Sequence, residues 1–111
     1  MDNMNELGKE VEENLGKFSK NSPKQMQAFM DFMGAVEGKG ALDEKQKELI
    51  SVALSVTGHC KWCIAFHVKN ALQKGATKEE ILEAGWVAVL MGGGPALMYF
   101  QLVQKALEES E

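Results

Sequence analysis

The stretch DEKQKELISVALSVTGHCKWCIAFHVKNALQKG, residues 43–75, carries the strongest structural signals in the chain. Asp43 and Gln46 have the spacing of a capping box, in which two side chains satisfy backbone N–H groups at a helix start. An apolar run follows, and a Thr-Gly pair ends it. A second helix is predicted from about Cys60 to Lys74, with a glycine directly after it as the terminator. The stretch therefore predicts two helices joined by a short turn.

Helical signals continue on both sides of this pair. Upstream, apolar residues recur at helical spacing within residues 1–20, and Ser22-Pro23 can cap and open a second helix. Downstream, Thr77 and Glu80 form another capping box before an apolar segment. The run Gly92-Gly93-Gly94-Pro95 separates that segment from a last helical one. Six helices are predicted in all.

The sequence predicts an all-α fold of about six helices in a single domain over residues 1–111. The best strand candidate is Ile50–Val56, which lacks both clean alternation and hairpin residues. The helix of residues 1–20 is predicted to be an arm or packing extension. The acidic residues at the C-terminus are expected to form a frayed tail; they are Glu108, Glu109 and Glu111.

Length and charge limit the classes of function that fit this chain. The chain has 111 residues, with 12 Lys and Arg against 16 Asp and Glu, so its net charge is −4. An acidic balance argues against a nucleic-acid-binding surface. We expect no membrane span, because no apolar run reaches about 20 residues. The polar N-terminus does not resemble a signal peptide, so a cytoplasmic location is expected.

The chemistry is concentrated in one short segment. Cys60, Cys63 and His67 follow one another at intervals of three and four residues, so one helix face carries all three. Thiols in the first turn of a helix lie near free N–H groups and the positive end of the dipole, which favour the thiolate. One thiolate can attack a substrate while the other closes a disulfide. His67 can accept the proton from Cys63.

Glu48 is the candidate partner for this histidine. A carboxylate that orients the ring and stabilises its charged form improves a histidine base. Glu48 directly precedes the apolar part of the preceding helix, so it is expected to be partly buried and to need a partner. A short turn at residues 57–59 would place the two helices antiparallel and bring Glu48 towards His67.

Other functions fit parts of the same segment. Cys60, Cys63 and His67, with His59 or Glu48, could hold zinc, although structural zinc sites usually have a second separated ligand pair. Two cysteines are too few for an iron–sulfur cluster in one chain, and no histidine directly follows the CxxC pair as haem attachment requires. A thioredoxin-like fold would need strands where helices are predicted. A binding protein with a redox-sensing thiol pair also remains open.

Glu48 followed by Cys60-x-x-Cys63-x-x-x-His67 resembles the signature of the AhpD-like alkylhydroperoxidases of the carboxymuconolactone decarboxylase family. The flanking pattern resembles the family over roughly residues 25–107. This resemblance implies an all-α fold with the CxxC pair at the start of a central helix. Because family members that are true decarboxylases lack the CxxC pair, its presence counts against lactone decarboxylation.

The resemblance also implies an enzyme, a thiol-dependent peroxidase that reduces (alkyl) hydroperoxides. Cys63 would be the peroxidatic nucleophile, Cys60 the resolving thiol, His67 the proton relay and Glu48 the residue that orients and charges His67. No metal or other cofactor is implied beyond the redox-active disulfide. The expected partners are a hydroperoxide or disulfide substrate and a thiol or dithiol protein reductant. Short family members commonly form homo-oligomers, as trimers or hexamers.

The chain departs from the longer AhpD proteins at one place. Those proteins carry a second histidine between the two cysteines, where this chain has Trp62. His59, directly before Cys60, is the nearest residue able to substitute. The difference bears on substrate preference and rate more than on the redox pair. A protein disulfide reductase or redox sensor of the same fold is the alternative function.

Overall fold

The computed structural model describes residues 3–111, and within them the chain forms five helices and no strand. The first two residues of the predicted N-terminal helix lie outside the described part. The all-α prediction is confirmed. The helices, in chain order, are α1 (Met4–Asn21), α2 (Pro23–Glu37), α3 (Glu44–Thr57), α4 (Lys61–Gln73) and α5 (Lys78–Glu109).

Both predicted capping boxes are present. At the start of α3, the Asp43 side chain accepts from Gln46 N at 2.7 Å and the Gln46 side chain accepts from Asp43 N at 2.9 Å. At the start of α5, Thr77 and Glu80 exchange the same two bonds at 3.1 and 2.8 Å. Two of the helix starts are thus determined by residues three positions apart.

The prediction for Ser22 is only half right. Pro23 opens α2 as predicted, but the Ser22 side chain makes no capping bond to that helix. Its hydroxyl donates instead to Asn21 Oδ1 at 3.1 Å. The reason is positional: Ser22 also ends α1, so its backbone N–H bonds back to that helix and its φ/ψ angles are not those of a regular cap.

The glycine run breaks α5 as predicted. Gly93 has φ 69° and ψ −152°, a region that essentially only glycine occupies, and it divides α5 into two helical segments. These segments are the predicted fifth and sixth helices. After the break the chain returns, so that a Cβ at Gly85 would lie 2.1 Å from Cε1 of Phe100. A side chain at Gly85 would therefore require the Phe100 ring to move.

The core lies between α3, α4 and α5. Each of these helices contributes buried apolar residues at helical spacing, and the largest fully buried ones are Val52, Val56, Ile64, Val68, Ile81 and Val103. Because Val52 and Val56 are four residues apart, as are Ile64 and Val68, one stripe of α3 faces one stripe of α4. This packing brings α4 against the helix that carries Glu48.

The helix α1 packs on α4 and also contacts α2 and α5. The Glu109 carboxylate accepts from the backbone N–H groups of Met4 and Asn5 at 3.0 and 3.1 Å, and so caps α1 from the other end of the chain. The expectation of a frayed acidic tail is therefore wrong for Glu109, and Glu111 is also paired, with Lys78. The single-domain assignment stays a prediction.

The expectation about membrane-spanning length needs correction. The helix α5 is long and apolar enough to span a bilayer by length and composition, with mean hydropathy 1.4 over its most apolar window. One such helix is weak evidence of a span, and core helices pass the same test. Gly93 interrupts this helix, and its flanking segments pack on each other at Gly85 and Phe100. The fold is compact, with extents of 39 × 36 × 27 Å.

A candidate redox site at the start of α4

The turn between α3 and α4 determines the position of the CxxC pair. Cys60 N donates to Ser55 O at 3.1 Å and His59 N donates to Val56 O at 3.2 Å, which is the bonding pattern of a Schellman helix end. The residue in the left-handed position of such a motif is usually glycine, but here it is His59, with φ 54°. The chain thereby reverses within three residues, and α4 begins directly after Cys60.

Cys60 and Cys63 form a disulfide, with their Cα atoms 5.2 Å apart. Cys60 is the N-cap of α4, and its Sγ accepts from the backbone N–H of Cys63 at 3.2 Å. Both residues are half-buried. The pair therefore lies where the amide groups and the dipole of α4 stabilise negative charge on sulfur. The predicted helix start and the closeness of the two thiols are both present in the structure.

The two aromatic neighbours of the pair are arranged differently from each other. The His59 ring stacks on Tyr99 of α5, with ring centroids 4.6 Å apart and an interplanar angle of 5°. Trp62 is exposed, and Lys61 Nζ lies 4.8 Å from the centre of its ring. His59 thus ties the turn before the cysteines to α5, whereas Trp62 presents an apolar surface beside them.

Glu48 and His67 are in direct contact. Nδ1 of His67 lies 2.8 Å from Oε2 of Glu48, and because a carboxylate only accepts, the ring N–H is assigned as the donor. Glu48 is 4% exposed, and the His67 side chain is 20% exposed. The structure therefore brings together the two residues that the sequence proposed as partners. Their catalytic roles stay predictions.

A third side chain, Glu37, belongs to this cluster. Glu37 is the last residue of α2, and its carboxylate, that of Glu48 and the ring of His67 offer ligand atoms that all lie within 4.8 Å of one another. Burial raises the pKa of Glu37 above its usual value, as do a hydrogen bond to Glu48 and the charge of Glu48. His67 and Lys74 act in the opposite direction.

Sequence reasoning missed Glu37 because no motif spacing links it to the cysteines. One signal was available: a glutamate at a helix C-terminus is opposed by the helix dipole, so a compensating contact is to be expected. That contact depends on how α2 lies against α3 and α4, which periodicity does not reveal.

A cavity of about 320 Å³ opens beside the acid cluster, between α2, α3 and α4. Lys74 and Glu44 form an ion pair at its wall, with Nζ and Oε2 2.6 Å apart. The zinc set suggested by the sequence is not assembled, because the two cysteines are bonded to each other and His67 pairs with Glu48. Among the described residues, the groups close enough to share a proton or a metal ion are Glu37, Glu48 and His67.

Comparison with known proteins identifies the fold. The model of the carboxymuconolactone decarboxylase family matches residues 23–105. The chain belongs to this family. The apo crystal structure of a carboxymuconolactone decarboxylase family protein from Legionella pneumophila matches with TM-score 0.93 and 42% identity, covering 98% of this chain and 97% of that one. A family protein from Thermotoga maritima, described as "possibly involved in antioxidative response", matches with TM-score 0.80 and 31% identity over 90% and 86% of the two chains.

Two sequence relatives extend this comparison. A Paracoccus denitrificans protein named "Uncharacterized protein 4 in cox locus" is 40% identical over 95 residues, which are 86% of each chain. The alkyl hydroperoxide reductase AhpD of Mycobacteroides abscessus is 34% identical over 56 residues, 50% of this chain and 32% of that protein. The chain is therefore a carboxymuconolactone decarboxylase family protein with a disulfide-forming CxxC pair and a distant AhpD relative.

Proposed function

We propose that this family member is a thiol-dependent peroxidase that reduces (alkyl) hydroperoxides through a cycle of the Cys60–Cys63 dithiol and disulfide. The observation that carries the proposal is the disulfide at the start of α4, on the same helix as a histidine bonded to a buried glutamate. This combination supplies a thiolate, a second thiol to resolve it and a proton acceptor.

The chemistry follows from the positions along α4. His67 takes the proton from the Cys63 thiol, and the thiolate attacks the terminal peroxide oxygen. The O–O bond breaks, Cys63 becomes a sulfenic acid, and His67 returns its proton to the departing alkoxide, which leaves as the alcohol. The Cys60 thiol then attacks the Cys63 sulfur, which forms the disulfide and releases water.

Cys63 suits the attacking role because it lies one helical turn from His67. At about 1.5 Å rise per residue, four residues separate Cys63 from His67 by about 6 Å along the axis, against about 10 Å for Cys60. Glu48 accepts the hydrogen bond from His67 Nδ1 and stabilises the imidazolium that forms. These two residues therefore form the proton relay, in which Glu48 acts on the thiol only through His67.

The cycle requires a reductant for the disulfide. A thiol or dithiol protein attacks one sulfur, a mixed disulfide forms, and a second thiol releases the reduced enzyme. Such reductants are maintained in the cytosol, so the proposed location is cytoplasmic. A disulfide reductase of the same fold would keep this half of the cycle and would use a substrate disulfide in place of the peroxide as the oxidant of the dithiol.

The test is a thiol count in the reduced protein before and after one equivalent of an organic hydroperoxide. We expect two free thiols to fall to none, with one equivalent of peroxide consumed and a Cys60–Cys63 disulfide found by mass spectrometry. Two unreacted thiols would overturn the peroxidase proposal. Reduction of a small disulfide by that same unreacted protein would then identify a disulfide reductase.

We also propose a homo-oligomer, a trimer or hexamer, as the working form. Large apolar side chains are exposed on α5, including Leu90 at 80% and Met91 at 79%, and Phe32 of α2 and Leu54 of α3 are also exposed. Monomeric proteins seldom expose so many large apolar groups without a partner. Sedimentation equilibrium should give three or six chains, and Leu90→Glu should lower that number. A monomeric native protein would contradict this assembly.

A further inference from the structure

Two adjacent residues of α3, Lys47 and Glu48, contact the backbone around Glu37 and its side chain, respectively. Lys47 Nζ donates to the carbonyls of Val36 and Gly38 at 2.7 and 2.6 Å, the carbonyls that flank Glu37. The carboxyl group of Glu48, the next residue of α3, lies against the carboxyl group of Glu37. The backbone of Glu37 is therefore anchored, and its side chain is brought to the buried end of the relay.

Burial and the charges around Glu37 together favour the protonated form of its carboxyl, because its pKa is raised. From α3 it faces Glu48 and Glu44, with the Lys47 ammonium held by neighbouring carbonyls. From α4 it faces His67 and Lys74. Two carboxyls this close do not both ionise at their usual pH, because like charges repel at short range. Glu48 is the one that bonds to His67, and Glu37 is the one whose pKa is raised.

We propose that Glu37 is a positioning residue of the relay, which shares one proton with Glu48 and thereby sets the negative charge that His67 faces. The catalytic role of Glu37 rests on the proposed function, whereas the sharing of a proton between Glu37 and Glu48 does not. While Glu37 holds the proton, the Glu37–Glu48 pair carries one negative charge. When the proton leaves, the pair carries two, and the imidazolium form of His67 is favoured.

The first experiment follows the carboxyl carbons by NMR in reduced protein labelled with carbon-13. Glu37 should titrate above the ordinary range of a glutamate side chain, because burial and Glu48 raise its pKa. In Glu48→Gln the midpoint of Glu37 should move down towards that range. An unmoved midpoint in Glu48→Gln would overturn the shared proton, whether or not the protein reduces peroxides.

The second experiment measures the consequence for the thiol. The alkylation rate of Cys63 by iodoacetamide is followed against pH in a Cys60→Ser background. Adding Glu37→Gln should leave the rate unchanged at acid pH and lower it at least roughly three- to fivefold above the Glu37 midpoint, since one charge at about 5 Å has this effect in water and a larger one in a partly buried site. Glu37→Asp keeps a titratable acid and should keep the inflection that Glu37→Gln removes.

Glu44→Gln is the matched control, because Glu44 lines the same cavity but pairs with Lys74. It should leave the inflection in place. Parallel profiles for Glu37→Gln and the parent would overturn the proposal. Retention of one equivalent of zinc by protein purified without chelator, lost in Glu37→Gln, would overturn it in favour of a metal site. Failure to consume peroxide, with these titrations as expected, would count against the peroxidase function alone.

Discussion

The two halves of the site differ in how the chain assembles them. The thiol half, from Cys60 to His67, lies within eight residues at the start of α4. The carboxyl half takes Glu37 from the end of α2 and Glu48 from α3, and it exists only when three helices pack together. The thiol half therefore depends on local helix geometry, whereas the carboxyl half reports tertiary packing.

The largest expected effect separates the two cysteines within the thiol half. Cys63→Ser should reduce peroxide consumption to background, because the attacking thiolate is gone. Cys60→Ser should still consume one equivalent and retain a sulfenic acid on Cys63, detectable by dimedone labelling and mass spectrometry. Equal activity in the two variants would contradict the assigned roles.

The next effect tests the link between the halves. His67→Gln and Glu48→Gln should each slow Cys63 alkylation at neutral pH by a factor of about 10² or more, the range for loss of a positioned base. The loss should shrink at high pH, where the thiol ionises without help. Stopped-flow rates over a pH series provide the measurement. A loss that is constant across the series would point to misfolding instead of a lost relay.

The break in α5 supports the turn that carries the thiol half, since Tyr99 lies beyond the break and stacks on His59. Gly93→Ala should lower the free energy of unfolding by about 1–3 kcal/mol, because φ 69° with ψ −152° excludes a Cβ. Gly94→Ala is the control: it has no positive φ and no atom near its Cβ position, so it should be nearly neutral. Urea denaturation compares the two variants. Equal losses of unfolding free energy would show that the positive φ of Gly93 is not the cause.

A smaller effect is expected at His59. His59→Ala removes the stack on Tyr99, worth about 0.5–1.5 kcal/mol, and keeps the left-handed backbone. His59→Gly also removes the stack but relieves a backbone cost of about 1–2 kcal/mol. The glycine variant should therefore be the more stable of the two in thermal denaturation. The reverse order would show that the turn is not strained.

The smallest effect is the pH dependence of stability at Glu37. Its pKa is raised in the folded protein, chiefly by burial, so folding favours the protonated form. The stability that this contributes is complete below the pKa of the unfolded chain and is lost as pH rises through the folded pKa. Glu37→Gln cannot lose that proton, so its stability relative to the parent should increase across this range. Denaturation curves from acid to neutral pH test the sign.

Local sequence determined more of the fold than of the site. The two capping boxes, the start of α4 at Cys60 and the break at Gly93 depend on residues within a few positions of one another, and all are present. The same locality explains the errors. Ser22 had the right residue type for a cap, but its backbone already served the end of α1. The expectation of a frayed Glu109 is wrong because the partners of its side chain lie more than 100 residues away.

The amino-acid pattern alone predicts the all-α class, the family signature and the helical spacing of two thiols and a histidine at the start of α4. Helical spacing of three or four residues accounts for the first and the last of these, and the signature adds Glu48, twelve residues before Cys60. The approach of Glu37 to Glu48 and His67 and the stack of Tyr99 on His59 arise only when the separate helices pack together. Those contacts depend on the angles at which separate helices pack, and burial of apolar stripes sets these angles without leaving a spacing that the sequence displays.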